Sequence, residues 1–191
     1  MSRQIRFLFD PYKFVNAVAY LAGRCTEATK MKISKLLYYA DKEHLLTYGR
    51  PIIGDRYIKM EYGPVPSMAY SLLKHDDRAS ADDQALFDER IAINGMKLSV
   101  TVAPDLRYLS ETDLEVLDLV IARYGDMTPA TLSTLSHREP AWEHAQMNRE
   151  MDYRLIFAGS GADETSEIVQ ADQEIRDALT DIELEDFALP T

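Results

Sequence analysis

Apolar residues recur along much of the chain at the spacing of an amphipathic helix, and polar or Gly/Pro segments separate the predicted helices. Asp10-Pro11 predicts a helix start, because aspartate caps exposed amide groups and proline suits the first helical position. That helix is predicted to end at Gly23. A second helix is predicted from about Thr29 to Thr47, with Gly and Pro close behind it.

Two segments with alternating apolar positions are predicted to form β-hairpins. The first covers residues 52–62 with a turn at Gly54-Asp55, and the second covers residues 90–102. Asn94-Gly95 suits a type I′ turn in the second hairpin, because both residues tolerate positive φ. The polar stretch 75–89 between the hairpins predicts a surface loop that holds at most a helical turn.

The remainder of the body is predicted to be mostly helical. Ser110 and Asp113 have the spacing of a capping box, which opens a helix that ends before Gly125. Further elements are a helix from Thr128-Pro129 to about His137, a helical turn at Pro140 and a short strand over 153–157. The predicted fold class is therefore α+β and predominantly helical: a compact helical domain with two short β-hairpins and a C-terminal acidic helix.

The net charge of −11 is concentrated at the C-terminus. Residues 162–191 contain ten acidic side chains and one basic side chain, Arg176, whereas the rest of the chain has a net charge of only −2. The small residues 159–161 lie at this change of composition and suit a linker. The sequence thus predicts a body over 1–158 and an acidic amphipathic tail over 159–191.

The acidic tail has one narrow apolar stripe. Ile168, Ile175 and Ile182 recur every seven residues, as in a helix that docks on another surface. Three interpretations stay open: the helix packs on its own body, it binds a partner, or the segment is disordered.

A search for catalytic chemistry finds little. The chain has no nucleophile elbow and no glycine-rich phosphate loop, and its single cysteine excludes an internal disulfide. Asp41 and His44 lie three residues apart in the second helix, so a hydrolase that uses this pair is one alternative, although a structural hydrogen bond is the simpler interpretation. No metal and no cofactor are expected.

Composition limits the partners and the location. An acidic chain repels nucleic acid and anionic membranes, and no apolar run is long enough to cross a membrane. Lys30, Lys32 and Lys35 form a small basic patch, which is interpreted as a solvated helix face. With no signal peptide at the N-terminus, a cytoplasmic location is expected.

Tyrosines are crowded between residues 38 and 70. Because tyrosine combines a large contact area with a polar hydroxyl, such crowding is typical of protein interfaces. An equally simple interpretation is that about half of these rings cap the core.

The same region resembles a known family. The resemblance is carried by Lys35-Leu-Leu-Tyr-Tyr-Ala-Asp41, by Tyr48-Gly-Arg-Pro51 and by Lys59-x-x-Tyr62-Gly-Pro-Val65. A later stretch over 128–142, which contains Thr-Pro, Ser-His and Pro-x-Trp, is similar to its second signature. In this order, over roughly residues 10–157, the pattern resembles the Panacea (SocA-like) antitoxin domain.

The resemblance implies a compact, helix-rich protein without catalytic activity that neutralises a toxin by direct binding. It also implies an alternative role as a proteolytic adaptor that delivers a toxin to the ClpXP protease, and it leaves a homo-oligomer open. Gly63 and Pro64 are then expected to set a turn, and His137 and Trp142 to hold the body together. Taken with the tyrosine cluster and the tail stripe, the candidate partner-binding residues are Lys35, Tyr38, Tyr39, Asp41, Tyr48, Tyr62, Ile168, Ile175 and Ile182.

Overall fold

The computed structural model describes residues 5–157, 160, 167, 169–171 and 173–174. The described part is α+β and predominantly helical, as predicted. The helices are α1 (Pro11–Ala22), α2 (Lys30–Tyr48), α3 (Ser67–Lys74), α4 (Ala81–Arg90), α5 (Glu111–Tyr124), α6 (Pro129–Ser136) and α7 (Pro140–His144). Two antiparallel pairs, β1 (Tyr57–Met60) with β2 (Gly63–Pro66) and β3 (Ile91–Asn94) with β4 (Lys97–Val100), and two 3₁₀ turns, Leu106–Tyr108 and Tyr153–Ile156, complete the fold.

Helix α2 is the central element of the fold. It packs against α1, α3, α5, α6 and strand β2, so that nearly its whole circumference is covered between Lys32 and Asp41. Thr29 caps its first turn by accepting a hydrogen bond from the Lys32 amide, and Gly49 ends it with a φ of +72°. Because other elements surround α2, its polar side chains are buried together with its apolar ones.

The first hairpin is displaced from its predicted position. Its strands pair Tyr57 with Pro66 and Met60 with Gly63, and the turn lies at residues 61–62 instead of at Gly54-Asp55. Asp55 is used elsewhere, since its carboxylate accepts hydrogen bonds from two amides in the first turn of α3, at 3.0 and 2.8 Å. The prediction was wrong because Gly-Asp also suits a helix-capping loop.

The second hairpin is confirmed, but its turn type is not the predicted one. Asn94 pairs with Lys97, which leaves Gly95 and Met96 as the two turn residues. Gly95 has a φ of +63°, whereas neither Asn94 nor Met96 has a positive φ. Positive φ at the first turn residue alone is typical of a type II′ turn. This geometry puts the Met96 side chain at the tip of the hairpin.

The stretch predicted as a loop over 75–89 contains helix α4. The Ser80 hydroxyl accepts a hydrogen bond from the Asp83 amide at 3.1 Å, and Phe87 is fully buried and stacks on Phe14 at 5.8 Å between ring centroids. One large apolar residue thus anchors an otherwise polar helix, which a periodicity argument cannot detect.

The strand predicted over 153–157 is a 3₁₀ turn. The Asp152 side chain caps it by accepting a hydrogen bond from the Arg154 amide at 3.0 Å, and this cap favours a helical turn over an extended strand. The capping box that opens α5 is confirmed, with Ser110 and Asp113 each bonding to the other's backbone amide.

Candidate binding groove

The Lys35 side chain lies at the floor of a surface groove. It is only 1% exposed, and its ammonium group donates a hydrogen bond to the carbonyl of Pro64 at 2.7 Å. No carboxylate of the described residues forms an ion pair with it, and burial lowers its pKa to about 7. The expected solvated lysine face is therefore wrong at this position.

Lys32 is buried as well, but its ammonium group has a full set of acceptors. It donates to the carbonyl of Thr26, to the Thr26 hydroxyl at 3.1 Å and to the carbonyl of Gly125 at 2.6 Å. These bonds tie the start of α2 to the end of α5. Lys32 is thus a structural residue, and only Lys30 of the three lysines is partly exposed.

Gly63 and Pro64 bring the first hairpin close to α6. Gly63 has a φ of +97°, and a Cβ atom on it would lie 2.2 Å from the Ser136 hydroxyl and 3.0 Å from the end of Lys35. The Ser133 hydroxyl donates to the carbonyl of Tyr62 at 3.0 Å. Only glycine permits this approach, and Gly63 and Pro64 open strand β2 directly after the turn at residues 61–62, so the expectation that they set the turn itself is not met.

His137 and Trp142 pack next to the same hairpin. Their rings stack at 4.1 Å between centroids, and the indole N–H of Trp142 donates to the carbonyl of Met60 at 3.2 Å. The ammonium group of Lys59 lies 4.1 Å from the centre of the Trp142 ring, at a distance typical of a cation–π contact. Both residues therefore lie against the hairpin in this structure, and their structural role stays a prediction.

The second hairpin closes the other side of the groove. The Lys30 amide donates to the carbonyl of Met96 at 2.9 Å, and the Leu98 amide donates to the carbonyl of Ala28 at 2.8 Å. These backbone bonds attach the hairpin tip to the first turn of α2. The groove is accordingly bounded by elements that hydrogen bonds hold in place.

The groove encloses about 460 Å³ and joins four elements of the fold. Its lining contains three lysines, three methionines, two tyrosines and a single acidic residue. The lining residues are Lys30, Met31, Ser34, Lys35, Met60, Glu61, Tyr62, Val65, Tyr70, Lys74 and Met96. A mostly apolar concave surface with a few charged groups is typical of binding sites.

Two of the candidate partner-binding residues, Lys35 and Tyr62, line this groove. Tyr62 is 58% exposed and forms part of the rim. The three methionines, Tyr70 and Lys74 are not among the residues predicted from the sequence, because they come from different elements and share no local pattern. Lys30 was noted only as part of the basic patch.

Tyr38, Tyr39 and Asp41 are buried in the core behind the groove. Tyr38 packs edge-on against Tyr57 at 5.2 Å, and Tyr39 stacks on Tyr124 at 4.4 Å between ring centroids. In this structure they support the surface and do not form it, so a direct contact with a partner would require them to become exposed.

Asp41 anchors the loop that follows α2. One carboxylate oxygen accepts hydrogen bonds from the amides of Ile52 and Ile53 at 2.8 and 2.9 Å, and the other accepts one from the Tyr57 hydroxyl at 3.0 Å. Burial raises the pKa of Asp41 to about 7, although these three bonds act in the opposite direction. Its carboxylate is fully engaged by the fold.

His44 does not pair with Asp41. Its ring nitrogens contact the carbonyl of Arg50 at 2.7 Å and the Thr112 hydroxyl at 3.1 Å, and its Nε2 lies 3.2 Å from a carboxylate oxygen of Asp113. The Asp41–His44 pair on which the hydrolase alternative depends is therefore not formed in this structure.

The buried carboxylate of Asp113 is the centre of a partly exposed ion cluster at the start of α5. Its carboxylate lies 2.7 Å from Lys13 Nζ and 3.0 Å from Arg50 Nη2, in addition to the contact with His44. Burial alone would raise the pKa of Asp113, but the bonds from His44 and Lys13 outweigh it and hold the pKa far below its ordinary value. This cluster joins α1, α2 and α5.

Tyr48 lies apart from the groove, at the last turn of α2. Its hydroxyl donates to the Glu115 carboxylate at 2.8 Å, and its ring is tilted against that of His44 at 4.8 Å. Tyr48 is partly exposed, and its assignment as a partner-binding residue stays a prediction.

Ile168, Ile175 and Ile182 lie outside the described residues. Two nearby residues are described: Val169 is 5% exposed and joins the hydrophobic core, and the Gln173 side chain accepts a hydrogen bond from the Arg6 amide at 3.3 Å. The start of the acidic segment therefore contacts the body. The boundary between residues 158 and 159 stays a prediction.

The described residues contain neither a metal-binding cluster nor a membrane-spanning helix. They contain no cluster of three histidine, cysteine or acidic residues placed to hold a metal ion. Within the same residues, no helix has the length and apolar character needed to cross a membrane.

The fold and the groove define a small, predominantly helical α+β domain with a pre-formed concave surface. Residues 33–143, more than half of the chain, match the family model described as antitoxin SocA-like, Panacea domain. The chain belongs to this family, as the sequence resemblance predicted. Comparisons with curated proteins and with solved structures gave no significant match.

Proposed function

We propose that this protein is an antitoxin that neutralises its cognate toxin by direct, stoichiometric binding. The observation that carries this proposal is the family match, which extends from α2 through α7. It includes both sides of the first hairpin, the floor of the groove and the helices that hold them. A pre-formed concave surface supports the proposal, because little conformational entropy is lost when such a surface binds a partner.

The mechanism requires no chemistry from the antitoxin. Binding covers the toxin's active site or holds the toxin in an inactive conformation, and the bound fraction follows the affinity and the two concentrations. The fold engages Asp41, and Asp41 and His44 do not contact each other, so the geometry offers no support for the hydrolase alternative.

A titration tests binding against catalysis. The toxin is taken to be the protein encoded beside this gene. An assay measures the cellular activity that this toxin inhibits, and purified antitoxin is added in increasing amounts until that activity is restored. Stoichiometric neutralisation gives a linear titration that ends at a fixed molar ratio, with a complex of the same composition in size-exclusion chromatography. Full neutralisation at a small fraction of equivalence would instead support an enzyme and contradict the proposal.

We propose in addition that the acidic tail accelerates association with a basic surface of the toxin. Ten acidic residues over 162–191 create a long-range attraction that weakens with salt. A chain ending at residue 174 tests this, because it retains the contacts of Val169 and Gln173 with the body. A slower association at low salt is expected, because this truncation removes five of the ten acidic residues, and an unchanged rate at low salt would exclude residues 175–191 from the mechanism.

The second candidate function is the proteolytic adaptor, which requires one surface for the toxin and another for ClpXP. One observation favours it: the rings of Tyr12 and Tyr108 stack at 5.1 Å on an exposed surface that also includes Leu106 and does not line the groove. An adaptor shortens the half-life of the toxin only in cells that contain the protease. A plain inhibitor leaves the toxin intact in the complex.

A further inference from the structure

The groove has a positive charge excess that the described residues do not neutralise. Lys30 on α2 and Lys74 on α3 line two different walls, and neither forms an ion pair with a described carboxylate. Lys74 instead contacts the ring of Tyr70 at 4.5 Å. Glu61 is the only acidic residue of the lining. The sign of this charge is opposite to that of the chain as a whole, which is −11.

The floor adds a buried amino group, which is positively charged in its protonated form. Lys35 Nζ carries three N–H donors when protonated, and among the described residues it donates to one acceptor, the carbonyl of Pro64. A carboxylate that reaches the floor would accept one of the remaining N–H groups and replace the solvation that burial removes. Lysine at this position is therefore suited to an anionic ligand group.

The rim is apolar and adaptable. Met31, Met60 and Met96 come from three different elements, and Met96 at the tip of the second hairpin is 59% exposed. Methionine has a flexible unbranched side chain and is enriched on surfaces that bind peptide segments. Together with the exposed ring of Tyr62, these side chains offer apolar contacts between the lysines.

We infer that the groove binds an acidic segment of the toxin in which carboxylates alternate with apolar side chains. This inference rests on the proposed function and identifies the surface that performs it. The carboxylates pair with Lys30, Lys74 and the floor lysine, and the apolar side chains pack on the methionines. Charge complementarity selects this occupant over a basic or neutral segment.

Photo-crosslinking in the full-length complex identifies the occupant. A benzophenone amino acid replaces Met96 in the groove, and in a matched control it replaces Tyr108, which is exposed and does not line the groove. The complex with the co-expressed toxin is irradiated and the linked peptides are sequenced. We expect crosslinks from position 96 to a toxin segment rich in aspartate or glutamate, and none from position 108. Links to a second copy, to the chain's own residues 162–191 or to a basic toxin segment would overturn the inference.

Charge reversal tests the energetic role of the lysines. The double variant Lys30→Glu, Lys74→Glu is expected to weaken toxin binding by at least about tenfold at low salt, with a smaller loss at high salt. Arg107→Glu changes an exposed charge outside the groove and serves as the control, with an expected change below about twofold. Thermal unfolding of each variant verifies that the fold is intact.

The outcomes separate the two proposals. If the wild-type chain neutralises the toxin and the double variant does so with unchanged affinity, the groove inference is wrong and the antitoxin function stands. If the wild-type chain neither binds nor neutralises the neighbouring protein, the proposed function is wrong, and the inference is lost with it.

Discussion

Replacing Lys35 with methionine removes the ionisable group at the floor of the groove and keeps an unbranched side chain of similar length. Burial lowers the pKa of Lys35 from an ordinary value of 10.5 to about 7 in the native state. At pH 7 this difference of roughly 3.5 pKa units corresponds to a native-state penalty of about 4 kcal/mol. The substitution Lys35→Met eliminates that penalty.

The substitution has a cost on the other side. The carbonyl of Pro64 loses the hydrogen bond that Lys35 donates at 2.7 Å, and an unpaired buried carbonyl costs about 1–3 kcal/mol. The difference between the two effects predicts that Lys35→Met stabilises the protein by about 2 kcal/mol at pH 7. It is also expected to weaken toxin binding, because the floor loses its positive group.

The free energy of unfolding of wild type and of Lys35→Met is expected to depend differently on pH. The native pKa lies below the unfolded pKa, so between about pH 7 and pH 10.5 the unfolded chain binds a proton that the native chain does not. Wild-type stability therefore gains from this group as the pH rises. The advantage of Lys35→Met is expected to shrink by about 2 kcal/mol between pH 7 and pH 9, and to be nearly absent at pH 9.

Urea unfolding monitored through Trp142, the only tryptophan, measures the free energy of unfolding of both proteins at pH 7, 8 and 9. The difference between the two proteins cancels groups that titrate identically in both. Lys97→Met, at an exposed lysine, controls for the loss of one positive charge. A difference that stays constant between pH 7 and pH 9 would show that Lys35 is not a titrating, desolvated group and would refute the reasoning.

Three further predictions concern the supports of the groove and the core, and urea unfolding measures each of them. Gly63→Ala is expected to destabilise the protein by about 3 kcal/mol, because its Cβ would overlap the Ser136 hydroxyl. Gly95→Ala is the control: it also lies at positive φ but has open space around it, so it is expected to cost only about 1 kcal/mol, and equal costs would contradict the clash. Asp41→Ala is expected to cost about 3–5 kcal/mol, since two buried amides and a hydroxyl lose their acceptor; a loss below 1 kcal/mol would mean that these bonds do not hold the loop. Asp113→Asn is expected to lower the free energy of unfolding by about 3 kcal/mol at pH 7. Because the native pKa of Asp113 lies below its unfolded value, the difference in free energy of unfolding between wild type and variant is expected to narrow as the pH falls below about 4, and a difference that stays constant in acid would contradict the ion cluster.

Local rules predicted the elements whose signals are contiguous in the sequence. Asp10 with Pro11, the capping box at Ser110 and the turn around Gly95 each involve residues within three positions of one another, and each marks an element that the structure contains. The turn predicted at Gly54-Asp55 was wrong because its signal is also local, and a local signal does not show which distant element a loop residue contacts. A loop residue can cap a helix that begins twelve positions later, and only the tertiary structure determines which partner it takes.

The site was less predictable than the fold, because the burial of a side chain depends on which distant elements pack against it. Helical spacing put Lys35 on a polar face of α2, yet β2 and α6 cover that face and turn a surface lysine into the floor of a groove. Tyr38 and Tyr39 have the composition of an interface, but surrounding rings enclose them. Family resemblance selected all three residues and did not distinguish the residues that line the surface from those that support it.

The groove combines a fixed floor with an adaptable rim, and this combination bears on how one scaffold accepts a partner. The floor and walls are held by hydrogen bonds to the backbone carbonyls of Pro64, Tyr62 and Met96, and none of these bonds involves a methionine side chain of the rim. The rim methionines change rotamer at little energetic cost. Substitutions at the rim are therefore free to alter partner choice without a loss of stability, whereas substitutions at the floor change binding and stability together. On this argument Met31, Met60 and Met96 adapt to the apolar side chains of the partner, the lysines select its charge, and the buried groups beneath them maintain the fold.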